Sequence, residues 1–231
     1  AAVLILVGLA YGGSAPTLGV LHPHSIALAS GSAPPPADLV SWWPAHGSGT
    51  DVVGQNHGTT DSGVRFVDGS VGMAFELDGR RHHVTVPDHA TLSPASISVD
   101  AWVRTETIDG DHVIVSKHDA GADQRSWLLA MRDAGAYMQD GRLRFVVHGD
   151  GSAGAYRQIE TNARVILPNT WYHVAATFDS STQVMKIYVD GAEVPCSLEP
   201  GSTTVASVFD STSPVRIGAY VDASGALAEY W

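Results

Sequence analysis

Ile97-Ser98-Val99-Asp100-Ala101-Trp102-Val103-Arg104 alternates with a period of two. Ile97, Val99, Ala101 and Val103 fall on one face and Ser98, Asp100, Trp102 and Arg104 on the other, which is the pattern of a half-buried strand and not of a helix. Trp171-Tyr172-His173-Val174-Ala175-Ala176-Thr177-Phe178 repeats it, with Tyr172, Val174, Ala176 and Phe178 together, and Met185, Ile187 and Val189 form the inward set of the next run. Asp179-Ser180-Ser181-Thr182 between these two runs has the chemistry of a turn, so they are expected to form a hairpin.

Outward from this centre, similar runs occur at Met73 to Leu77, His83 to Val86, His112 to Ser116, Ser126 to Met131, Leu143 to His148 and Val215 to Ala219. Asp-Gly pairs at Asp68, Asp78, Asp109, Asp140, Asp150 and Asp190 punctuate them, since glycine tolerates the positive φ of tight turns. Nine or more short strands require closure or two stacked sheets. No run recurs at a fixed repeat and no Pro/Ser-rich seam interrupts residues 38–231, so the sequence predicts one all-β sandwich and not a propeller or tandem modules. At this size roughly 70% of the unfolded surface leaves water on folding.

The 231 residues are 44% hydrophobic and 16% charged, the composition of a turn-rich globular protein. Thirteen Lys and Arg against 24 Asp and Glu give a formal charge of -11, a field that repels nucleic acid and anionic lipid. The densest basic groups, Arg80-Arg81 and Arg142-Leu143-Arg144, read as solvated strand faces. Cys196, the single cysteine, can make no intrachain disulfide and reads as an idle thiol.

Residues 1–37 contain no Asp, Glu, Lys or Arg and open on the apolar run Ala1 to Ala10, too short to span a bilayer. With Ala27-Leu28-Ala29 as a small-x-small cleavage site, this is read as a partial signal peptide, hence a secreted or cell-surface protein whose mature domain does not insert in a membrane. Ser30-Gly31-Ser32-Ala33-Pro34-Pro35-Pro36 is a stiffened linker into a domain starting at Asp38.

Gly72-Met73-Ala74-Phe75-Glu76-Leu77-Asp78-Gly79, Val84-Thr85-Val86-Pro87, the Ala-Trp-Val of the 97–103 run, Val115-Ser116-Lys117, Gly141-Arg142-Leu143-Arg144-Phe145, Trp171-Tyr172-His173-Val174-Ala175, Lys186-Ile187-Tyr188-Val189-Asp190-Gly191 and Pro214-Val215-Arg216-Ile217-Gly218 stand in one order. Together they resemble the laminin G-like, concanavalin A-like jelly roll. The resemblance implies a two-sheet antiparallel sandwich over residues 38–231, usually a non-catalytic module of a larger secreted protein that binds a glycan or an extracellular protein. An adhesive spacer without a small ligand, or the remnant of a glycoside hydrolase, are the other classes it admits. Members normally continue beyond an aromatic such as Tyr220 into a strand that returns beside Leu39 to Trp43. The chain is therefore expected to lack its final C-terminal strand and to leave that edge unpaired.

Glucanases of this fold resemble one another in three spaced carboxylates; here Glu76-Leu77-Asp78 is followed by Arg80 and Arg81, which cannot shuttle protons, so no catalytic residue is assigned. A Gly-x-Ser-x-Gly elbow is missing from the sequence, and His82 and His83 point to opposite faces of a strand. Relatives often hold calcium at a rim, and Asp78 matches their Asp-Gly position, which makes it the candidate ligand, although Arg81, His82 and His83 oppose a cation. A glycan needs an exposed aromatic beside groups that bind its hydroxyls. Lys117 to Trp127 and His148 to Gln158 read as long polar loops offering them, with Asp119, Asp123, Trp127, Asp150, Tyr156 and Arg157 as the candidate binding residues.

Overall fold

The computed structural model describes residues 7–10, 38–132, 141–228 and 230–231, with only the backbone of residues 7–10. Its strands are β1 Val7–Ala10, β2 Leu39–Trp43, β3 Thr59–Thr60, β4 Arg65–Asp68, β5 Met73–Glu76, β6 Val84–Val86, β7 Ile97–Val103, β8 His112–Asp119, β9 Gln124–Arg132, β10 Arg142–Gly151, β11 Tyr156–Thr161, β12 Tyr172–Asp179, β13 Val184–Val189, β14 Ala192–Val194, β15 Cys196–Leu198, β16 Val215–Ile217, β17 Tyr220–Val221 and β18 Leu227–Ala228. The six-stranded sheet runs β14-β13-β12-β7-β1-β2, and the larger sheet runs β15-β11-β10-β9-β8-β16-β6-β3, with β17 beside β8 and β18 beside β17. A β4-β5 hairpin stands apart. All pairings are antiparallel except the short β17-β8 contact.

The alternating runs do what their pattern demands. Ile97, Val99, Ala101 and Val103 of β7 are buried, and β12 and β13 pair from Val174 opposite Val189 to Asp179 opposite Val184, so the expected hairpin forms around Asp179 to Thr182. One hydrophobic core joins the sheets: Trp43, Val99, Phe178 and Ile187 from the smaller meet Val115, Leu129, Phe145 and Ile217 from the larger, with Trp231 among them. Each fully buried Leu, Ile, Val or Phe contributes roughly 2 kcal/mol, about twice a typical net hydrogen bond, so these inward faces fix the stacking of the sheets. Five of the six Asp-Gly glycines, Gly79, Gly110, Gly141, Gly151 and Gly191, have positive φ, as turns require.

Two features lie outside the sequence reading. Val7–Ala10 of the opening apolar run takes an inner place between β2 and β7, since an uncharged apolar segment suits an inner strand as well as a leader core. The cleavage site and the linker fall outside the described residues. The free side of β2 meets the loop after it: Trp42 N–H donates to Asp51 Oδ1 at 2.9 Å and the Trp42 carbonyl accepts from Val52 N–H at 2.9 Å.

Beyond β16 the chain reverses at Gly218 (φ 87°) and passes across the outward side of β8. There Ser116 Oγ donates to the Ala219 carbonyl at 2.8 Å and Ala120 N–H to the Val221 carbonyl at 2.9 Å. This return lays Tyr220 over the outer face of the larger sheet.

Candidate functional site

Most of the residues singled out in the sequence meet at the end of the larger sheet where β8 turns into β9 and β10 into β11. Asp119 pairs with Gln124 across the first turn, and Gly151 of β10 lies opposite Arg125, so the two hairpin tips are side by side. Arg125 ties them together. Its Nη1 donates to Asp123 Oδ1 at 2.5 Å and to the Gly151 carbonyl at 3.1 Å, and its Nη2 to the Ala120 carbonyl at 2.8 Å, a span that suits the rigid fork of a guanidinium. Asp119 Oδ1 accepts from Ala122 N–H at 3.0 Å and Asp150 Oδ1 from Ser152 N–H at 2.9 Å, so both carboxylates shape their own turns. The β17-β18 turn closes against them: a Cβ on Gly121 would lie 2.8 Å from Gly225 Cα.

Inward of this rim the outer face of the sheet carries four rings in an arc. Phe145 and Val147 of β10 face the core, so Val146 and His148 face outward, and His148 sits directly opposite Tyr156 of β11. Ring centroids are 6.0 Å apart for Tyr156 and His148, 5.3 Å for His148 and His118, and 5.5 Å for His118 and Tyr220. Tyr156 and Tyr220 also pack against an apolar patch of Val113, Leu128, Ala130 and Val146. Farther along the same face Arg144 pairs with Asp111 at 3.3 Å, and Arg132 and Arg142 converge on Glu160 at 2.7 and 3.1 Å.

The two imidazoles are buried and uncharged at neutral pH. Burial pushes His148 down to about 4, assisted by the Arg125 charge and opposed by its hydrogen bond to the Ser152 carbonyl. Burial, then the charges of His148, Arg125 and Arg144, push His118 down to about 3. His148 Nδ1 lies 3.0 Å from the Ser152 carbonyl, whereas His118 Nδ1 is shielded from solvent without a hydrogen-bond partner among the described residues.

The remaining candidates are placed elsewhere. Trp127 is fully buried in the core, its Nε1–H donating to the Leu92 carbonyl at 2.8 Å, and cannot serve as a sugar platform. Leu128 and Ala130 are as apolar as Trp127, Leu129 and Met131, so alternation in β9 does not say which face is inward. Arg157 points away from Tyr156, its Nε donating to the Gln183 carbonyl at 2.8 Å and Nη1 to that of Thr203 at 3.3 Å, which makes it a strap between the sheets. Asp78 Oδ1 accepts from the N–H groups of Arg80, Arg81 and His82 at 3.0, 2.8 and 3.0 Å. Burial would raise its pKa, but these bonds and the nearby His82 imidazole hold it down to about 2.

Those contacts do not fit calcium, which takes six to eight oxygens. One oxygen of Asp78 is saturated by the backbone, and the other faces His82 Nδ1 at 3.4 Å and Arg81 Nε at 3.9 Å. Among the described residues no group of three or more His, Cys, Asp or Glu could hold a metal ion. Glu76 is likewise engaged, 2.5 Å from Arg65.

Sequence reasoning missed His118, His148 and Tyr220. Parity along Leu143 to His148 puts His148 outward beside Arg144 and Val146, and was the usable signal. His118 is obscured by a bulge earlier in its own strand: Val113 pairs with Ala130 and Val115 with Leu129, so Ile114 is extra and Val113 faces outward while Val115 faces the core. Tyr220 reaches the face through the Gly218 reversal, which no local pattern announces.

The family description "concanavalin A-like lectin/glucanases superfamily" matches residues 78–231. The chain belongs to this superfamily. Several solved structures are similar to this superfamily member, all at low identity. The CBM40 of the Ruminococcus gnavus IT-sialidase bound to α2,3-sialyllactose is 9% identical, with a TM-score of 0.43 over 60% of this chain and 69% of that one. A structure described as a putative carbohydrate binding protein from Bacteroides ovatus ATCC 8483 is 21% identical, with a TM-score of 0.41 over 70% of this chain and 42% of that one. The carbohydrate binding module CBM66 from Bacillus subtilis is 19% identical, with a TM-score of 0.36 over 69% of this chain and 90% of that one. No curated protein matches the chain.

Proposed function

We propose that this protein is a non-catalytic carbohydrate-binding module, secreted as an appendage of a larger chain, and that glycans dock on the rim of its larger sheet. The observation that carries this reading is the arc Tyr156–His148–His118–Tyr220, with partly buried phenol rings flanking two uncharged imidazoles. A pyranose offers an apolar C–H face to stack on such rings and hydroxyls for the polar groups around them, here the Asp119, Asp123 and Asp150 carboxylates of the adjoining tips. The engagement of Glu76 by Arg65 and of Asp78 by its own turn speaks for binding and against the carboxylate chemistry of a glycosidase.

A glycan array followed by calorimetry tests the reading. The wild-type protein is expected to bind at least one glycan class saturably, and Tyr156→Ala or Tyr220→Ala to weaken that binding at least about tenfold while the protein stays folded. Binding to no glycan at all would leave the spacer as the surviving function.

A further inference from the structure

The hydrogen-bonding roles of the two histidines narrow the ligand, on the reading that the arc is the glycan site. A carbonyl oxygen only accepts, so the 3.0 Å contact with Ser152 requires the proton of His148 to sit on Nδ1. Its Nε2 is then a bare acceptor. His118 lies edge-on to it at 5.3 Å, and its buried Nδ1 has no partner among the described residues, a state that costs free energy until something satisfies it.

The groups facing this pair come from every neighbouring strand. Arg125 of β9 and Arg144 of β10 act on His118, Arg125 and Asp150 on His148, and the rings of Tyr156 and Tyr220 close the two ends. Arg125 is taken by Asp123 and Arg144 has Asp111, so a carboxylate-bearing ligand finds these cations already matched with acids.

We infer that the ligand groups seated on the His118–His148 pair are hydroxyls of an uncharged sugar, and that this module therefore selects neutral over acidic glycans. A hydroxyl both donates and accepts, so it satisfies His148 Nε2 and either tautomer of His118. A carboxylate only accepts and meets a lone pair at His148. His118 and His148 keep 9% and 5% of their surface exposed beside the rings of Tyr220 and Tyr156, and a hydroxyl would approach them there. Because both imidazoles stay neutral until well into acid, recognition holds constant from about pH 8 to about pH 5 and falls once His148 charges.

The test is a glycan array of neutral hexose and fucose oligosaccharides beside uronic- and sialic-acid glycans, run at about pH 7, 5 and 3.5. Expected are signals for neutral glycans, equal at the two higher pH values and lower by about fourfold at the lowest, where most of His148 is protonated. For the best neutral binder, His148→Phe, which keeps a ring but removes the acceptor, should lose at least about tenfold, and His148→Gln should recover part of it. Imidazole nitrogen NMR of the wild-type protein gives a readout independent of any variant: His148 should carry its proton on Nδ1, and both rings should shift when that glycan is added. Binding confined to acidic glycans and sensitive to Tyr156→Ala would overturn this inference while leaving the glycan reading intact. Unshifted imidazole signals on binding would also overturn it, assigning the pair to water. A blank array removes the glycan reading and this inference together.

Discussion

Asp51 closes the free side of β2 with one carboxylate. Its Oδ1 accepts from the N–H groups of Trp42, Val53 and Gly54 at 2.9, 3.0 and 3.0 Å, and its Oδ2 from Asn56 N–H at 3.1 Å. Burial alone would raise its pKa; the backbone donors reverse that and leave it lowered. Asp51→Ala strands these donors at a site only 3% exposed, and is expected to cost about 3 kcal/mol in urea unfolding, with Asp51→Asn costing less because one acceptor survives. Lys117 is the opposite case, a fully buried cation whose ammonium lies 2.8 Å from Asp88 Oδ1 and donates to the Ser211 carbonyl. Burial lowers its pKa and Asp88 partly restores it. Removing Asp88 leaves the buried ammonium with only the Ser211 carbonyl and the Asp210 charge to compensate it, whereas removing Lys117 leaves a carboxylate that water reaches. Asp88→Ala should therefore cost about 3–5 kcal/mol and Lys117→Met only about 1–2 kcal/mol. Equal losses in the two variants would show that the pair is not buried as described.

Among the connections, the reversal between β16 and β17 depends most on one position. Gly218 has φ 87°, and a Cβ there would lie 2.2 Å from Leu77 Cδ1, so Gly218→Ala meets both a left-handed backbone penalty and a clash in the core. A loss of about 3 kcal/mol is expected, with glycan binding weakened in the protein that remains folded, since the displaced segment carries Tyr220. The contrast with β7, β12 and β13 shows what a sequence can specify. Those strands are legible because one face is apolar and the other polar; burial follows the pattern residue by residue in β7, whereas in β12 Ala175 of the outward face is buried too and in β13 only Ile187 is buried. The sequence reads His148 to Gln158 as loop, yet Tyr156 to Gln158 open β11, since Tyr156-Arg157-Gln158-Ile159-Glu160-Thr161 offers a single large aliphatic residue to the core and its pairing is decided by β10 and β15. For the same reason half the site was in view. Asp119, Asp123, Asp150 and Tyr156 stand on turn signals that locate the rim, while His118 is masked by a bulge and Tyr220 arrives by a long-range return. Trp127 and Arg157 have the chemistry of a sugar site but not the direction, for both point away from the rim.

Taken over the entire fold, the acid behaviour follows from which groups are held neutral and which are held charged. His148, with an ordinary value near 6.5, is lowered to about 4, and His118 to about 3. A histidine depressed by folding binds protons more readily in the unfolded chain, so its contribution to stability is complete above about pH 6.5 and drains away as the pH falls toward the folded value. For His148 the loss amounts to roughly 3 kcal/mol, arriving at about 1.4 kcal/mol per pH unit, and His118 adds to it in the same direction. The carboxylates act in a lower window. Asp78 is held at about 2 and Asp51 below its ordinary 3.8, so their stabilisation is present above that value and is lost only as the pH drops beneath it. Urea unfolding between about pH 7.5 and pH 2.5 should therefore show stability declining in two stages, the first set by the imidazoles and the second by the carboxylates. His148→Gln removes one titrating group from the first stage and should flatten it by about 1.4 kcal/mol per pH unit without altering the second, whereas Asp78→Asn should do the reverse. A first stage unchanged in His148→Gln would mean that the imidazole is not kept neutral by the fold, and the tautomer on which neutral-sugar recognition rests would go with it.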